Sequence, residues 1–371
     1  MRKFFTLIIA FFVFLFLFSL CSYALSTSAK SVCAIEASSG KIYFAKNENQ
    51  KMGMASTTKI MTAIVVIENC KLTDKVKIPA EAVGIEGSSI YLKEGEVLSV
   101  EELLYALLLE SANDASIALA IHCAKSVDEF VSLMNKKAKE IGLTSTSFTN
   151  PHGLDDENHY TTASDLAKMA SYAMTLPIFS EIVSTYKKAI PLGEDGTRVL
   201  INHNKLLRTF EGTIGVKTGF TRKCGRCLVS CAEKDGVRLI CVTLNAPSDW
   251  DDHKSVLDLG FDTYEGIKLA KAGDYLLDIP IINGKKTSVL CSNLDDLAIT
   301  LKKGNINISA SYEANKMLCA PIKQGDLVGK IKFKNNNEEI ASVNLYALEN
   351  VANIKYRKSF FERIFGKNGK N

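Results

Sequence analysis

A strong charge of either sign, abundant proline and a second long hydrophobic run are all missing from this 371-residue sequence. The formal net charge is only +4, and the chain contains 7 Pro, 23 Gly and 1 Trp. Because 47% of its residues are hydrophobic, the composition excludes disordered and fibrous proteins. The length predicts two domains, or one large domain with an appendage.

The small positive charge lies at the two ends of the chain. Residues 1–24 are net positive, and the tail 349–371 holds six Lys and Arg against two Glu. The body between them is slightly negative, which gives no electrostatic basis for binding nucleic acid. We therefore expect no nucleic-acid partner, and uncharged or zwitterionic ligands along the body.

One hydrophobic run, 4–20, is long enough to enter a bilayer. Arg2-Lys3 precede it and Ser22-Tyr23-Ala24 follow it, a pattern typical of an export signal with small residues at its cleavage site. An uncleaved N-terminal anchor is the alternative, since the run approaches the length of a membrane helix. We predict a signal peptide over residues 1–24 and an extracytoplasmic protein.

The cysteines after residue 24 are odd in number and scattered, so a disulfide scaffold is not expected. Cys224-x-x-Cys227 with Cys231 resembles part of a metal site or a redox pair, but no fourth Cys or His lies nearby at zinc-like spacing. Small strand side chains are the favoured interpretation, with a disulfide and a metal site as alternatives. We predict no metal and no cofactor.

Hydrophobic spacing predicts an α+β fold. Two short runs, 31–37 and 41–46, are joined by Ser38-Ser39-Gly40 and predict a hairpin. Segments with helical spacing follow at 56–67, 100–124, 127–141 and 163–174. Three strands are then predicted at 213–221, 224–233 and 237–245, and a further helix at 250–268. The arrangement favours one antiparallel five-stranded sheet, made of the first hairpin and the last three strands and flanked by helices, with a helical subdomain.

The remainder of the chain differs in pattern. Short alternating runs predict a small all-β domain over 272–348, after a larger domain over 25–271. In the tail 349–371, one helical face can hold Ile354, Phe360, Phe361, Ile364 and Phe365, with six basic residues around it. This pattern is typical of an amphipathic anchor at a membrane surface. A solvated terminus is the alternative for this tail.

Three short motifs carry the candidate chemistry. The first is Ser56-x-x-Lys59, at the start of a predicted helix. Residues i and i+3 lie on one helix face, so the Lys59 amine would stand beside the Ser56 hydroxyl as a base beside a nucleophile. Burial and a second cation, such as Lys217, would lower the pKa of Lys59 enough for it to accept a proton.

The other two motifs suggest a substrate with a C-terminal carboxylate. Ser111-Ala112-Asn113 lies in a break between helical stretches, where its side chains can relay a proton and recognise an amide. Lys217-Thr218-Gly219 lies on a predicted strand, where glycine allows a close approach and the ammonium and hydroxyl can bind a carboxylate.

These motifs, in this order, resemble those of penicillin-binding proteins and class A β-lactamases. The chain resembles the D-alanyl-D-alanine carboxypeptidases among low-molecular-mass penicillin-binding proteins, serine peptidases with a β-lactamase-like domain that trim the stem peptide of peptidoglycan. The resemblance covers residues 30–270. It extends through Gly87-Ser88-Ser89, Leu92-Lys93-Glu94-Gly95, Asn150-Pro151-His152-Gly153-Leu154-Asp155 and Asn202-His203-Asn204-Lys205-Leu206-Leu207.

The resemblance implies three catalytic residues. Ser56 would form an acyl-enzyme with the penultimate D-alanine, and Lys59 would be its general base. Ser111 would relay a proton to the departing D-alanine. No metal or cofactor takes part, and β-lactams would inhibit the enzyme.

The resemblance also implies the substrate contacts. Asn113 would hold the substrate amide, while Lys217 and Thr218 would take the terminal carboxylate beside Gly219. The backbone N–H groups of Ser56 and Phe220 would form the oxyanion hole.

Two positions depart from the family pattern. Phe220 stands where relatives often have His, which changes the rim of the site and leaves the backbone donor in place. The arginine that some members use on the carboxylate is not evident in 248–252, and Arg222 or Arg226 is the candidate replacement.

Other polar residues are expected to be structural. His152, His203 and Asp155 would brace loops, and His122 would pack in the core. The rival functions are a D,D-endopeptidase that uses the same site, a β-lactamase and an inactive cell-wall binding protein. A β-lactamase needs a second base, and no Glu-x-x-Leu-Asn-like segment lies between Asn113 and Lys217.

Overall fold

The computed structural model describes residues 25–193, 196–304, 306–313 and 317–354. The predicted signal peptide 1–24 lies outside these residues, as does the tail from 355 onward. The chain divides into two compact units: the first runs to Lys234 and includes Arg238–Asp262, and the second comprises Asp235–Val237 and the chain from Thr263.

The first unit combines strands and helices. Its strands are β1 (Ser31–Glu36), β2 (Ile42–Lys46), β3 (Lys75–Lys77), β4 (Val97–Ser99), β5 (Lys187–Leu192), β6 (Gly196–Ile201), β7 (Thr213–Thr221), β8 (Gly225–Lys234) and β9 (Val237–Leu244). Its helices are α1 (Lys59–Asn69), α2 (Val100–Leu109), α3 (Asn113–Ala124), α4 (Val127–Glu140), α5 (Ala163–Met174), α6 (Pro177–Ser184), α7 (Leu206–Thr209) and α8 (Asp249–Thr263). Short 3-10 turns cover Ala55–Thr58 and Ala80–Ala82.

A five-stranded sheet with the order β2-β1-β9-β8-β7 forms the centre of this unit. Strand β1 pairs antiparallel with both β2 and β9, and β7 pairs antiparallel with β8. The predicted sheet is therefore confirmed. It brings the first hairpin beside strands that lie some 200 residues later in the sequence.

Helix α1 lies inside the helical layer. Its residues from Lys59 to Val66 are all buried, and it packs against α2, α3, α4, α5 and α6. A helix that is apolar on every side must be surrounded by other elements. The N-terminal end of α1, which begins at Lys59, is consequently held in place by the core.

Two predictions for this part of the chain were wrong. The helix predicted over 250–268 ends at Thr263, and Tyr264–Ala270 forms strand β10. Tyr264 and Ile267 have helical spacing, but Gly266 between them disfavours a helix, and β10 finds an antiparallel partner in Leu297–Lys302. His122, predicted to pack in the core, is exposed on α3, with Nε2 3.9 Å from Asp74 Oδ2.

The second unit is made of strands. They are β10, β11 (Leu277–Ile282), β12 (Ser288–Ser292), β13 (Leu297–Lys302), β14 (Ile308–Glu313), β15 (Leu318–Cys319), β16 (Leu327–Asn335) and β17 (Glu338–Ala347). Six of them form a sheet with the order β14-β16-β17-β12-β11-β15, and β10 pairs with β13. Val289, Phe333 and Leu345 are central to its core. Among the described residues, no helix has both the length and the apolar character needed to cross a membrane.

Candidate active site

Ser56 lies in a tight turn that is fixed on all sides. Ala55, just before it, has a φ of 48°, a left-handed conformation that is unfavourable for alanine. Thr57 Oγ1 donates to Met54 O at 2.7 Å, and Thr58 Oγ1 contacts both Ala55 O and His159 Nε2. These bonds hold the strained turn, and they present the Ser56 hydroxyl at the end of α1.

Gly153 packs directly against this turn. A Cβ built on Gly153 would lie 2.0 Å from Ala55 O, and its φ is +90°. Both the space and the backbone conformation therefore demand glycine. The segment around Gly153 thus closes over the back of the Ser56 turn.

The Lys59 amine is the centre of the site. Its Nζ lies 3.1 Å from Ser56 Oγ, 2.6 Å from Asn113 Oδ1 and 2.6 Å from His152 O. The side chain is completely buried. Burial, and then the charge of Lys217, lower the pKa of Lys59 well below its usual range, and Asp114 opposes this in part. A neutral amine beside the Ser56 hydroxyl can take its proton.

Lys217 is the second buried amine. Its Nζ donates to Thr218 O at 2.9 Å. Burial lowers the pKa of Lys217 to about 7, against an opposing effect of Glu110. Burial is the main cause of the lowered pKa in both amines, and the charge of Lys217 adds to it for Lys59 alone.

Ser111 and Asn113 lie at the break between α2 and α3. Ser111 has a φ of 62°, which turns the chain sharply before Asn113 begins α3. The Asn113 side chain donates to Glu86 O at 2.5 Å while its Oδ1 accepts from Lys59. Asp114 accepts from Ser89 Oγ and from the backbone N–H of Leu92. The loop that carries Gly87-Ser88-Ser89 is therefore tied to the start of α3.

Strand β7 lies along the opposite side of the site. A Cβ on Gly219 would be 3.1 Å from Met54 O, from Ser56 N and from Thr57 N, so a side chain here would crowd the Ser56 turn and glycine favours the close approach of the strand. Thr218 and Phe220 flank this glycine, and the Phe220 side chain is 63% exposed. The backbone N–H of Ser56 and that of the residue after Gly219 are thus on adjoining segments.

These elements enclose a cavity of about 330 Å³. Its lining contains Ser56, Ser88, Ser111, His203, Lys205, Thr218, Gly219, Phe220, Arg226, Asp249 and Trp250. Five of the eight predicted site residues therefore line one cavity, and Lys59, Asn113 and Lys217 lie buried behind it. The arrangement places a serine hydroxyl beside two buried amines whose pKa values are lowered.

The comparisons with known proteins agree with this chemistry. A family model described as D-alanyl-D-alanine carboxypeptidase matches residues 21–248. The model for the C-terminal domain of penicillin-binding protein 5 matches residues 264–353. The chain belongs to the D-alanyl-D-alanine carboxypeptidase family.

Similar members of the carboxypeptidase family extend over most of the chain. It is 33% identical to the D-alanyl-D-alanine carboxypeptidase DacF of Bacillus subtilis, over 92% of this chain and 90% of the relative. It is 32% identical to DacC of Escherichia coli, over 95% of this chain and 92% of that relative. Among solved structures, penicillin-binding protein 5 of Haemophilus influenzae has a TM-score of 0.66 at 32% identity and covers 88% of this chain and 98% of its own. PBP3 of Streptococcus pneumoniae has a TM-score of 0.73 at 27% identity, and it covers 88% of this chain and 100% of its own.

Arg226 is the arginine that lines the cavity in this chain. Its Nε donates to Asp249 Oδ1 at 3.0 Å, and its guanidinium lies 5.7 Å from the centroid of the Trp250 ring. Asp249 is buried, whereas the Arg226 side chain is 42% exposed. Arg222, the other candidate, is exposed and does not line this cavity. The carboxylate and the ring hold Arg226 at the cavity wall.

The histidines of the shared segments have structural contacts. Burial lowers the pKa of His152 and of His159 to about 4, so both rings are neutral at pH 7. His159 braces Thr58, and His203 pairs with Glu110 at 3.1 Å. Asp155 accepts from Thr221 Oγ1. The sequence did not predict three features of the site: the contact of His159 with Thr58, the position of Lys205 in the cavity lining, and the contact of the His152 carbonyl with Lys59. The family-like segments near these residues were the signal that could have indicated them.

The cysteine motif lies beside the site as free thiols. Cys224 and Cys227 are buried and unbridged, and Cys224 Sγ lies 3.1 Å from Asp155 Oδ1. The part of the chain that the structure describes contains no group of three or more His, Cys, Asp or Glu arranged to hold a metal ion.

Proposed function

We propose that this family member removes the terminal D-alanine from peptidoglycan stem peptides through an acyl-enzyme on Ser56. The observation that carries the proposal is the contact between Lys59 Nζ and Ser56 Oγ at 3.1 Å, inside a fully buried environment that lowers the pKa of the amine. A serine hydroxyl is a weak nucleophile until a neighbouring base takes its proton.

In the first step, Ser56 Oγ attacks the carbonyl carbon of the penultimate D-alanine while its proton passes to Lys59. The negative charge develops on the carbonyl oxygen, between the backbone N–H groups of Ser56 and Phe220. Fixed donors at that position need no reorganisation, and one such donor is worth a factor of roughly 100–1000 in rate. The close packing of Gly219 on the Ser56 turn supports this pair of donors.

In the second step, the C–N bond breaks, and the proton held by Lys59 passes through Ser111 to the departing amine. Thr218, Lys217 and Arg226 hold the carboxylate of this terminal D-alanine. Water then attacks the ester, which regenerates Ser56 and releases the shortened peptide. The position of Ser111 and Thr218 in the lining of one cavity with Ser56 supports these roles.

The proposal includes the location of the protein. We infer export by the signal at 1–24, and attachment of the basic, amphipathic tail 349–371 to the outer face of the cytoplasmic membrane. Peptidoglycan lies outside that membrane, so both features would place the site beside its substrate. Both segments fall almost wholly outside the described residues.

The intact mass of the chain after mixing with benzylpenicillin tests the acyl-enzyme. We expect one lasting adduct on the wild-type chain and on Ser180→Ala, a serine outside the cavity, and no adduct on Ser56→Ala. Release of D-alanine from a peptide that ends in D-Ala-D-Ala tests the reaction itself. No adduct would indicate an inactive binding protein. A transient adduct with rapid loss of the drug would indicate a β-lactamase, and cleavage of cross-linked peptides alone would indicate an endopeptidase.

A further inference from the structure

Two cysteines come together at the end of the helical layer away from the active site. Cys70 directly follows α1, and Cys123 lies in the last turn of α3. The two helices pack on each other. At this same end, His122 Nε2 lies 3.9 Å from Asp74 Oδ2, so the neighbours of both cysteines are also close.

Both side chains are only partly buried, they pack against the same hydrophobic core, and each thiol affects the pKa of the other. The neighbouring thiol raises the pKa of Cys70 and lowers that of Cys123. A thiol with a lowered pKa that solvent can reach is the one that reacts with disulfides.

Other cysteines of the described chain are in a different situation. Cys33, Cys227 and Cys231 are buried, and burial raises the pKa of each to about 12. Cys319 is exposed, in the second unit. The Cys70–Cys123 pair therefore combines proximity, access and an activated sulfur.

We propose that Cys70 and Cys123 form a covalent cross-link when the folded chain meets a small-molecule disulfide. The Cys123 thiolate attacks one sulfur of that disulfide, the external S–S bond breaks, and one small thiol leaves. Cys70 then gives its proton to solvent and attacks the Cys123 sulfur, which expels the second small thiol. Two protein thiols are oxidised, and the external disulfide is reduced to two thiols.

The cross-link would join the same two helices that meet in the active site. At their N-terminal ends, Lys59 Nζ and Asn113 Oδ1 are 2.6 Å apart. At the other ends, the disulfide would close a loop that contains Ser111. Because closing a long loop restricts the unfolded chain, we expect the melting temperature to rise by about 5–10 °C. This inference does not depend on the proposed function.

The test uses the full native chain, incubated with hydroxyethyl disulfide at neutral pH and compared with the reduced chain. We expect a loss of two hydrogen atoms in mass, a peptide map that joins the Cys70 and Cys123 peptides, and the higher melting temperature under non-reducing conditions. Cys319→Ser should form the cross-link as the wild type does. Cys123→Ser should form none.

The inference is overturned if both thiols remain open to alkylation, if they end as two mixed disulfides, or if the pair forms only after denaturation. Should Cys123→Ser fail to fold, Cys70→Ser and the reduced wild-type chain give the same comparison. Acylation by benzylpenicillin, measured on the same samples, separates the two proposals, since its loss would count against the proposed function and leave the peptide map unchanged.

Discussion

At the scale of single residues, the site depends on Lys59, whose pKa lies well below the usual value of a lysine. Lys59 needs no carboxylate partner because its amine contacts three oxygen atoms and is screened from water. We expect Lys59→Arg, which cannot lose its proton, to slow acylation of Ser56 by a factor of roughly 100–10,000. Stopped-flow measurement of benzylpenicillin acylation gives this rate, and the exposed Lys41→Arg is the control. Acylation at the wild-type rate would remove Lys59 from its role.

Lys217 predicts a pH dependence. The carboxylate of the substrate needs the ammonium form, and the pKa of Lys217 is about 7. The acylation rate constant kcat/KM should therefore fall as the pH rises through about 7, because that parameter reports the free enzyme. At low pH, kcat/KM should fall as well, because protonation of Lys59 removes the base. The pH profile therefore has an acid limb set by Lys59 and an alkaline limb set by Lys217.

The variant Lys217→Arg separates these two limbs. Arginine keeps its charge, so the fall above pH 7 should disappear while the acid limb stays. A pH profile of kcat/KM for D-alanine release measures both. An unchanged alkaline limb in the variant would mean that another group causes it.

Arg226 predicts a specificity effect. Its guanidinium is held by Asp249 and Trp250 at the cavity wall, where it can pair with a carboxylate. We expect Arg226→Gln to reduce kcat/KM for peptides with a free C-terminal carboxylate by about tenfold or more. A substrate with a neutral ester at that end should lose little, and Arg222→Gln should behave as the wild type. Equal losses for both substrates would point to a merely structural arginine.

At the scale of elements, residues of the three predicted motifs meet around one cavity, whereas the helix predicted over 250–268 had the wrong end. The three motifs are local, and each needs only its own helix, loop or strand. Strand β10 was missed because its spacing fits a helix, and only pairing with β13 decides otherwise. The left-handed Ala55 and the packing of Gly153 on the Ser56 turn depend on tertiary contact, which no local pattern encodes.

That contact between Gly153 and the turn gives a prediction. Gly153→Ala places a methyl group 2.0 Å from Ala55 O, which must move the Ser56 turn. Gly142 is a matched control, because it also has a positive φ of +74° but has nothing within 4 Å of its Cβ position. We expect Gly142→Ala to cost about 1 kcal/mol of unfolding free energy and Gly153→Ala more than about 3.

Urea unfolding measures both variants, and benzylpenicillin acylation should be lost in Gly153→Ala alone. Equal effects of the two substitutions would show that backbone strain, and not contact with the turn, explains the glycine.

At the scale of the whole molecule, the chain joins an active unit, a small β unit and a basic tail. The proposed anchor rests on composition, since six Lys and Arg lie within 349–371. Each basic residue near an anionic surface is worth about 1 kcal/mol. Deletion of 352–371 should abolish sedimentation with anionic vesicles at low salt, and it should leave acylation by benzylpenicillin unchanged. Neutral vesicles are the control, and full binding by the shortened chain would contradict the anchor.

Three separate segments meet at the Lys59 amine, and this has a consequence for the unfolded chain. Ser56 on the turn before α1, Asn113 on α3 and the carbonyl of His152 come together only in the finished fold. In an extended chain Lys59 is hydrated, keeps its proton and leaves Ser56 inert. We therefore expect an unfolded chain not to react with a β-lactam, because the proposed acylation of Ser56 requires the completed fold.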